Sequence, residues 1–301
     1  MDDLDKKILT DLQRNCRVSY QELSRKYDIS ANAIRRRILN LEESGVISGY
    51  SISLSPAMTE TDFMFGLLST DGSRDDEEMV DAIGASQNIL AAAAYSDGYY
   101  AFVAEYQGAE EQQQLATYLR TLESVTNAEL HTIIRNWGSK MSLTKTHLRV
   151  LEPLLTDPRL PIVDVAQATG LTARRVRRLI RELEEGGALR FSALPELGAA
   201  TSLPYIVRIT WNEQTATYST ITEWLLKDFP LAHWETYVSA AEPVIYTLLV
   251  ADDITELTET TRAIRRNEHV TSIKIILGLY HKYFSSHRFE TLKRMVKEGS
   301  H

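Results

Sequence analysis

Two stretches of the chain share one pattern of apolar and polar positions. "ISANAIRRRILNLEESGVI" (29–47) and "LTARRVRRLIRELEEGGAL" (171–189) align without a gap at an offset of 142 residues. Apolar side chains recur at helical spacing, Ile34, Ile38 and Leu41 in the first copy and Val176, Ile180 and Leu183 in the second. Each stretch predicts an amphipathic helix, capped by Ser30 or Thr172 and ended by Gly45 or Gly187. Upstream, Leu4, Ile8, Leu9 and Leu12 fall on one helical face, and Ser19 with Glu22 reads as a capping box for a short helix carrying Leu23. The second copy matches with Leu148, Leu151 and Leu155, then Ile162, Val165 and Ala166. After the third helix, "GVISGYSISL" (45–54) alternates as a strand pair or wing. Two helices joined by a tight turn, the second closing on glycine, form the helix-turn-helix pattern.

The intervening segments change period from helix to strand. At the same offset "FMFGLLST" (63–70) falls on "YIVRITWN" (205–212). Strand, helix, strand, strand, helix, strand are predicted at 63–70, 74–85, 89–95, 99–106, 109–122 and 127–134. The second set is predicted at 203–211, 215–228, 231–238, 243–251, 253–266 and 270–277. That order is the ferredoxin-like split βαβ arrangement, which leaves one sheet face bare, and the other copy is its natural cover. The predicted class is α+β. Winged helix-turn-helix modules (1–56 and 138–198) alternate with ferredoxin-like βαββαβ modules (57–137 and 199–301), the last ending in a short helix on Leu292, Met295 and Val296. The closing "GSH" reads as a tag remnant.

Composition adds bounds. A chain of 301 residues is long for one core and suggests two or more domains. Its 44% hydrophobic and 25% charged residues are those of a globular protein. No run approaches the ~18 apolar residues of a membrane span, and the acidic start has no basic-then-apolar signal, so a cytoplasmic protein without a membrane partner is expected. The single Cys16 excludes an intramolecular disulfide and a multi-cysteine zinc site, and reads as a turn residue without chemistry. The net charge of -8 is unevenly spread: residues 57–137 carry -11, while 1–56 carry +1 and 138–198 carry +3. The acidic run "DGSRDDEEMV" (71–80) reads as a helix start with Ser73 and Asp76 as a capping box, rather than as a cation site.

The basic residues concentrate on the third helix of each module. With about 100° per residue, Asn32 and Arg36 point away from the apolar stripe, Arg35 lies on its flank and Asn40 faces outward. Arg37 falls at the stripe's edge, where its stem can pack, and its counterpart is Leu179. The second helix presents Arg174, Arg175, Arg177, Arg178 and Arg181, with its acids at the end. Dipole complementarity would reverse that order. A helix that offers its N-terminal half to phosphates and base edges would be charged this way, so Ser30, Asn32, Arg35, Arg36 and Asn40 with the five second-copy arginines are the candidate DNA contacts.

On "LDKKILTDLQRNCRVSYQELSRKYDISANAIRRRILNLEESGVISGY" followed by a ferredoxin-like module, the chain resembles the Lrp/AsnC (leucine-responsive/asparagine regulator) family of prokaryotic transcription regulators. The resemblance runs over nearly the whole chain twice, so this is a tandem form. It implies double-stranded DNA as partner, no cofactor, no enzymatic activity, a homo-oligomer that is at least the pseudo-dimer within one chain, and an amino-acid effector. The family's effector turn maps onto "YSDGYY" (95–100), giving Ser96, Asp97, Gly98, Tyr99 and Tyr100, although Gly98 sits later than usual and a plain hairpin turn explains the same residues. The equivalent "SAAEP" (239–243) lacks glycine. Two alternatives stay open. Siroheme decarboxylases resemble the same architecture and bind a tetrapyrrole, which would draw on His131, His233 and Trp234, but their His-Asn-Tyr-type strand motif is absent. A ligand sensor or assembly protein with vestigial DNA-binding modules is the other.

Overall fold

The repeated pattern folds into repeated elements in a computed structural model that describes residues 1–134, 137–199 and 202–299. Helices α1 (Asp3–Arg14), α2 (Tyr20–Tyr27) and α3 (Ala31–Glu43) lead into strand β1 (Ile47–Leu54) and a short α4 (Pro56–Thr59). Next come β2 (Asp62–Thr70), α5 (Asp76–Gly84), β3 (Ile89–Tyr95), β4 (Tyr99–Tyr106), α6 (Gly108–Arg120) and β5 (Val125–Ile133). The second copy comprises α7 (Lys145–Thr156), α8 (Ile162–Thr169), α9 (Ala173–Glu185) and β6 (Leu189–Pro195). It continues through β7 (Leu203–Trp211), α10 (Tyr218–Asp228), β8 (His233–Val238), β9 (Val244–Ala251), α11 (Ile254–Arg266), β10 (Val270–Tyr283) and α12 (His287–Gly299). The elements gather into two compact units. One holds Asp62–Arg135 and Leu197–Ser285; the other holds Asp2–Thr61, Asn136–Glu196 and Ser286–His301.

In the helical unit the caps at Ser19, Ser30 and Thr172 fall where the sequence puts them, and those at Asp2 and Thr144 are new. Asp2, Ser19 and Ser30 accept backbone N–H bonds at the starts of α1, α2 and α3, and Thr144 and Thr172 do the same for α7 and α9. Gly45 and Gly187 follow α3 and α9 with φ of 75° and 66°, a left-handed turn that glycine adopts at little cost. The strand pair expected at 45–54 is instead a single strand per module. β1 finds its partner in the other copy and pairs antiparallel with β6, Ile52 opposite Phe191 and Leu54 opposite Leu189. A lone strand leaves its backbone groups unpaired, and the repeat supplies the missing edge.

The apolar core of this unit is also shared: Cys16, Ile52 and Leu54 from the first copy pack with Leu151, Val176, Leu183 and Phe191 of the second. Burial pushes the Cys16 thiol up to about 12, so this side chain acts as a small apolar one. Helix α12 adds Leu292 and Val296 to the same core, and Arg288 donates to the Leu54 carbonyl. A Cβ on Gly299 would sit 2.2 Å from Leu148 Cδ1, so the end of α12 lies tight against α7. The tag reading of the last three residues falls on Ser300 and His301, which lie outside the described residues.

In the sheet unit the strands run in the order β5-β2-β4-β3-β10-β7-β9-β8. The expectation of a strand at 270–277 is too short: β10 runs on to Tyr283, pairs with β7 over its first half and with β3 over its second, and so welds the two modules into one sheet. The sheet then curls until its margins meet, where Ile134 N–H donates to the Val238 carbonyl at 2.9 Å and Ala240 N–H to the Thr132 carbonyl at 2.8 Å. Alternation sorts the side chains. Met64, Leu68, Tyr100 and Phe102 face the helices of the first module, and Tyr205, Val207, Ile245 and Leu249 those of the second. Phe63, Phe65, Leu67 and Val103 meet Ile206, Tyr246 and Ile276 inside the ring. Each bare face covers the other. Helix α5 starts later than expected: its cap is Asp75, whose side chain accepts from Glu77 N–H, while the Ser73 hydroxyl donates to Asp71.

Candidate nucleic-acid interface

The arginines of the helical unit divide into two sets. In the first, guanidinium groups are committed. Arg37 is half-buried and ion-pairs with Asp2 and Asp5, each at 2.7 Å, tying the end of the apolar stripe to the start of α1. Arg17 and Arg159 stand 142 residues apart in the chain and play the same part in each copy. Each follows a turn in which its own N–H donates at 2.8 Å to the side chain two residues earlier, Asn15 or Asp157. Each then reaches into the other module. Arg17 donates to the carbonyls of Pro158 (2.6 Å) and Leu160 (3.0 Å) and lies over the Phe191 ring. Arg159 donates to the Tyr50 hydroxyl (2.8 Å) and Glu42 (3.3 Å), with the Tyr20 and Tyr50 rings about it. Asn15 Nδ2 donates to Glu184 on α9, so α3 and α9 are each gripped by the opposite copy. Sequence reading missed this clasp, although the repeat offset itself pairs the two arginines.

The second set is committed to nothing. Arg35 and Arg36 on α3, and Arg174, Arg175, Arg177 and Arg181 on α9, are exposed and have no side-chain partner among the described residues. Arg178 is also exposed and is held by Glu182 one turn on, at 3.2 Å. Asn32 and Asn40 are exposed on α3, and the Ser30 hydroxyl is used as the cap, accepting from Ala33 N–H at 3.1 Å. The candidate DNA contacts therefore share one exposed face on each of the two helices, with the cap at its start.

The residues expected to form an effector turn occupy a different environment. Ser96 Oγ accepts from Leu277 N–H at 3.1 Å, and the Tyr99 hydroxyl accepts from Lys274 Nζ at 2.6 Å, both on β10. Thr70 donates to the Gly98 carbonyl, and the Tyr100 hydroxyl donates to Asp76 at 2.6 Å. Asp97, at φ 64°, is the residue of this turn left exposed.

Inside the ring lies a polar cluster. Glu129 on β5 receives Arg208 of β7 through Nε (2.8 Å) and Nη2 (2.7 Å), and faces His131 Nε2 at 3.2 Å. Ser239 Oγ accepts from Ala241 and Glu242 N–H, which leaves its proton to donate to His131 Nδ1 at 3.1 Å. His131 Nε2 then carries its hydrogen toward Glu129 and the Tyr246 hydroxyl (3.2 Å). Hydrogen bonding from His131, with Arg208 adding to it, holds the Glu129 carboxyl down at about 2 against an opposing effect of burial. His233 bonds through Nε2 to the Thr236 hydroxyl at 2.7 Å, so the structure does not bring the two candidate histidines into one contact.

The fold comprises two winged helix-turn-helix modules and a duplicated ferredoxin-like sheet. The family model described as winged helix-turn-helix DNA-binding matches residues 1–48 and 143–190. An uncharacterized HTH-type transcriptional regulator of Pyrococcus abyssi is 42% identical over 55 residues, 18% of this chain and 37% of that one. The HTH-type transcriptional regulator LrpA of Pyrococcus horikoshii is 41% identical over 56 residues, 19% of this chain and 40% of its own. The chain thus spans well under half the length of these curated relatives. The matched helix-turn-helix stretches resemble those of HTH-type regulators such as LrpA. The solved structure of the siroheme decarboxylase NirDL matches over 100% of both chains with a TM-score of 0.58 and 15% sequence identity. That likeness is one of fold, and it overturns the expectation that the chain is not an enzyme: the same whole-chain architecture serves in a decarboxylase, so it cannot mark a protein as non-catalytic. No described helix is long and apolar enough to cross a membrane.

Proposed function

We propose that the chain is a transcription regulator that binds double-stranded DNA through α3 and α9. One observation carries this reading: six exposed arginines on these two helices lack partners among the described residues, whereas Arg17, Arg37 and Arg159 in the same unit are all engaged. Packing four unpaired guanidinium groups on one helix face costs stability through like-charge repulsion. A polyanion outside the protein relieves that repulsion and releases its own counterions. Two reading heads on one chain also raise the effective concentration of the second once the first has bound. An effector belongs to the same proposal: an amino acid would meet the exposed Asp97 carboxylate through its ammonium group. Affinity for genomic fragments between about 50 and 200 mM salt tests the reading, with a fall of about 10³-fold or more expected. Binding that is flat in salt, or unaltered by R36A together with R178A, would overturn it.

The whole-length likeness to NirDL favours a second reading, conversion of a tetrapyrrole carboxylate. On this reading the ring cluster supplies Arg208 for a carboxylate and His131 as a proton carrier, after Arg208 leaves Glu129. Titration with siroheme, followed by absorbance and product mass, decides it. An unshifted spectrum with no loss of mass would remove the reading. The two activities do not exclude each other, because they use different units of the chain.

A further inference from the structure

The two recognition helices are superimposable in sequence but not in chemistry. Aligned at the repeat offset, Asn32 stands where α9 has Arg174, Leu39 where it has Arg181, and Asn40 where it has Glu182. All three α3 residues are exposed, on the same face as Arg35 and Arg36, and Leu39 is 39% exposed although it is apolar. Amides and a small apolar group on that face are side chains that read base edges: asparagine pairs bidentately with adenine N6 and N7, and an apolar side chain meets the thymine methyl. The α9 face has no amide. Its five exposed arginines are free except Arg178, and Glu182, in place of Asn40, holds Arg178 and also lies 3.4 Å from His147 Nε2. Such a face suits phosphates along the backbone, which position without specifying.

We infer that the chain recognises an inherently asymmetric, directional DNA site: α3 reads a defined half-site containing A·T pairs, and α9 anchors on the neighbouring backbone with little preference for sequence. This rests on the proposed DNA binding and goes beyond it. A symmetric dimer of identical subunits presents two equal heads and reads a palindrome. Here the clasp of Arg17 and Arg159 holds two unequal heads in one unit, so the complex has a polarity along the duplex.

Selection of bound fragments from a random DNA pool by the full chain, followed by binding of the selected sites across a salt series, tests the inference. The expected motif has one informative half. N32A should flatten preference in that half by about five- to hundredfold at the base it reads. R174A with R177A should weaken all sequences alike and lower the salt slope by about one unit per arginine. A chain carrying R174N, R181L and E182N, which gives α9 the α3 face, should select a site with two informative halves. These positions are solvent-facing except for the half-buried Glu182, and R174N with R181L alone, which spares its contact to His147, should enrich the second half in the same direction. A palindrome selected by the unaltered chain, or equal flattening of both halves by N32A, would overturn the inference and leave DNA binding standing. An unenriched pool together with salt-independent retention would overturn both.

Discussion

The two helix-turn-helix copies agree in what holds them and differ in what they show to solvent. Caps, apolar stripe, closing glycine and the clasping arginine recur at one offset, while the outward Asn32, Leu39 and Asn40 of α3 stand against Arg174, Arg181 and Glu182 of α9. Packing is tested by the fold in both copies alike. Outward side chains answer only to whatever meets them, so drift there separates the jobs of the two helices.

The contrast breaks most strongly at the unpartnered arginines. Removing Arg177 and Arg181 together should cost about 10- to 100-fold in DNA affinity near physiological salt, measured by anisotropy, with the larger loss at low salt. Loss of the clasp comes next. R159A leaves Glu42 and Tyr50 without their cation at a half-buried junction and should lower unfolding stability by about 2–3 kcal/mol in a denaturant titration. R17A, which frees two carbonyls rather than an ion pair, should cost less, about 1–2 kcal/mol.

The ring cluster gives a pH signature. The Glu129 carboxyl is depressed from 4.5 to about 2 in the folded chain, so the stability it contributes is fully present above the unfolded value and is lost as pH falls from about 4.5 through about 2. E129Q should flatten that stretch of the melting-temperature profile relative to the unaltered chain. The smallest effect belongs to Arg37. R37A removes two surface ion pairs worth about 0.5–1 kcal/mol between them and should leave DNA affinity within about twofold, unlike R36A beside it.

Much of this was legible in the residues. Period and offset placed the helices, the alternation of modules and most strands, because the repeat reports each element twice. What escaped was pairing between copies. A single strand at 47–54 looks like half of a hairpin when its partner lies at 189–195, and nothing local says so. β10 overran its expected end because its second half, from Gly278 to Tyr283, is ordered by pairing with β3 of the other copy. The exposed face of α3 was readable from helical geometry alone, whereas the distinction between Arg17 and Arg36 depends on neighbours more than a hundred residues away.

Among the described residues the ring cluster is not repeated. By repeat offset, Gly66 stands opposite the role of Arg208, and the related place in the first module has no arginine to offer. In an assembly of identical subunits every substitution is made twice, and a charge that suits one half must suit its twin. Fusion lifts that condition. A glutamate on β5 can be answered by an arginine on β7 without either having to face its own copy, so each half is free to accumulate changes that only the other half could tolerate.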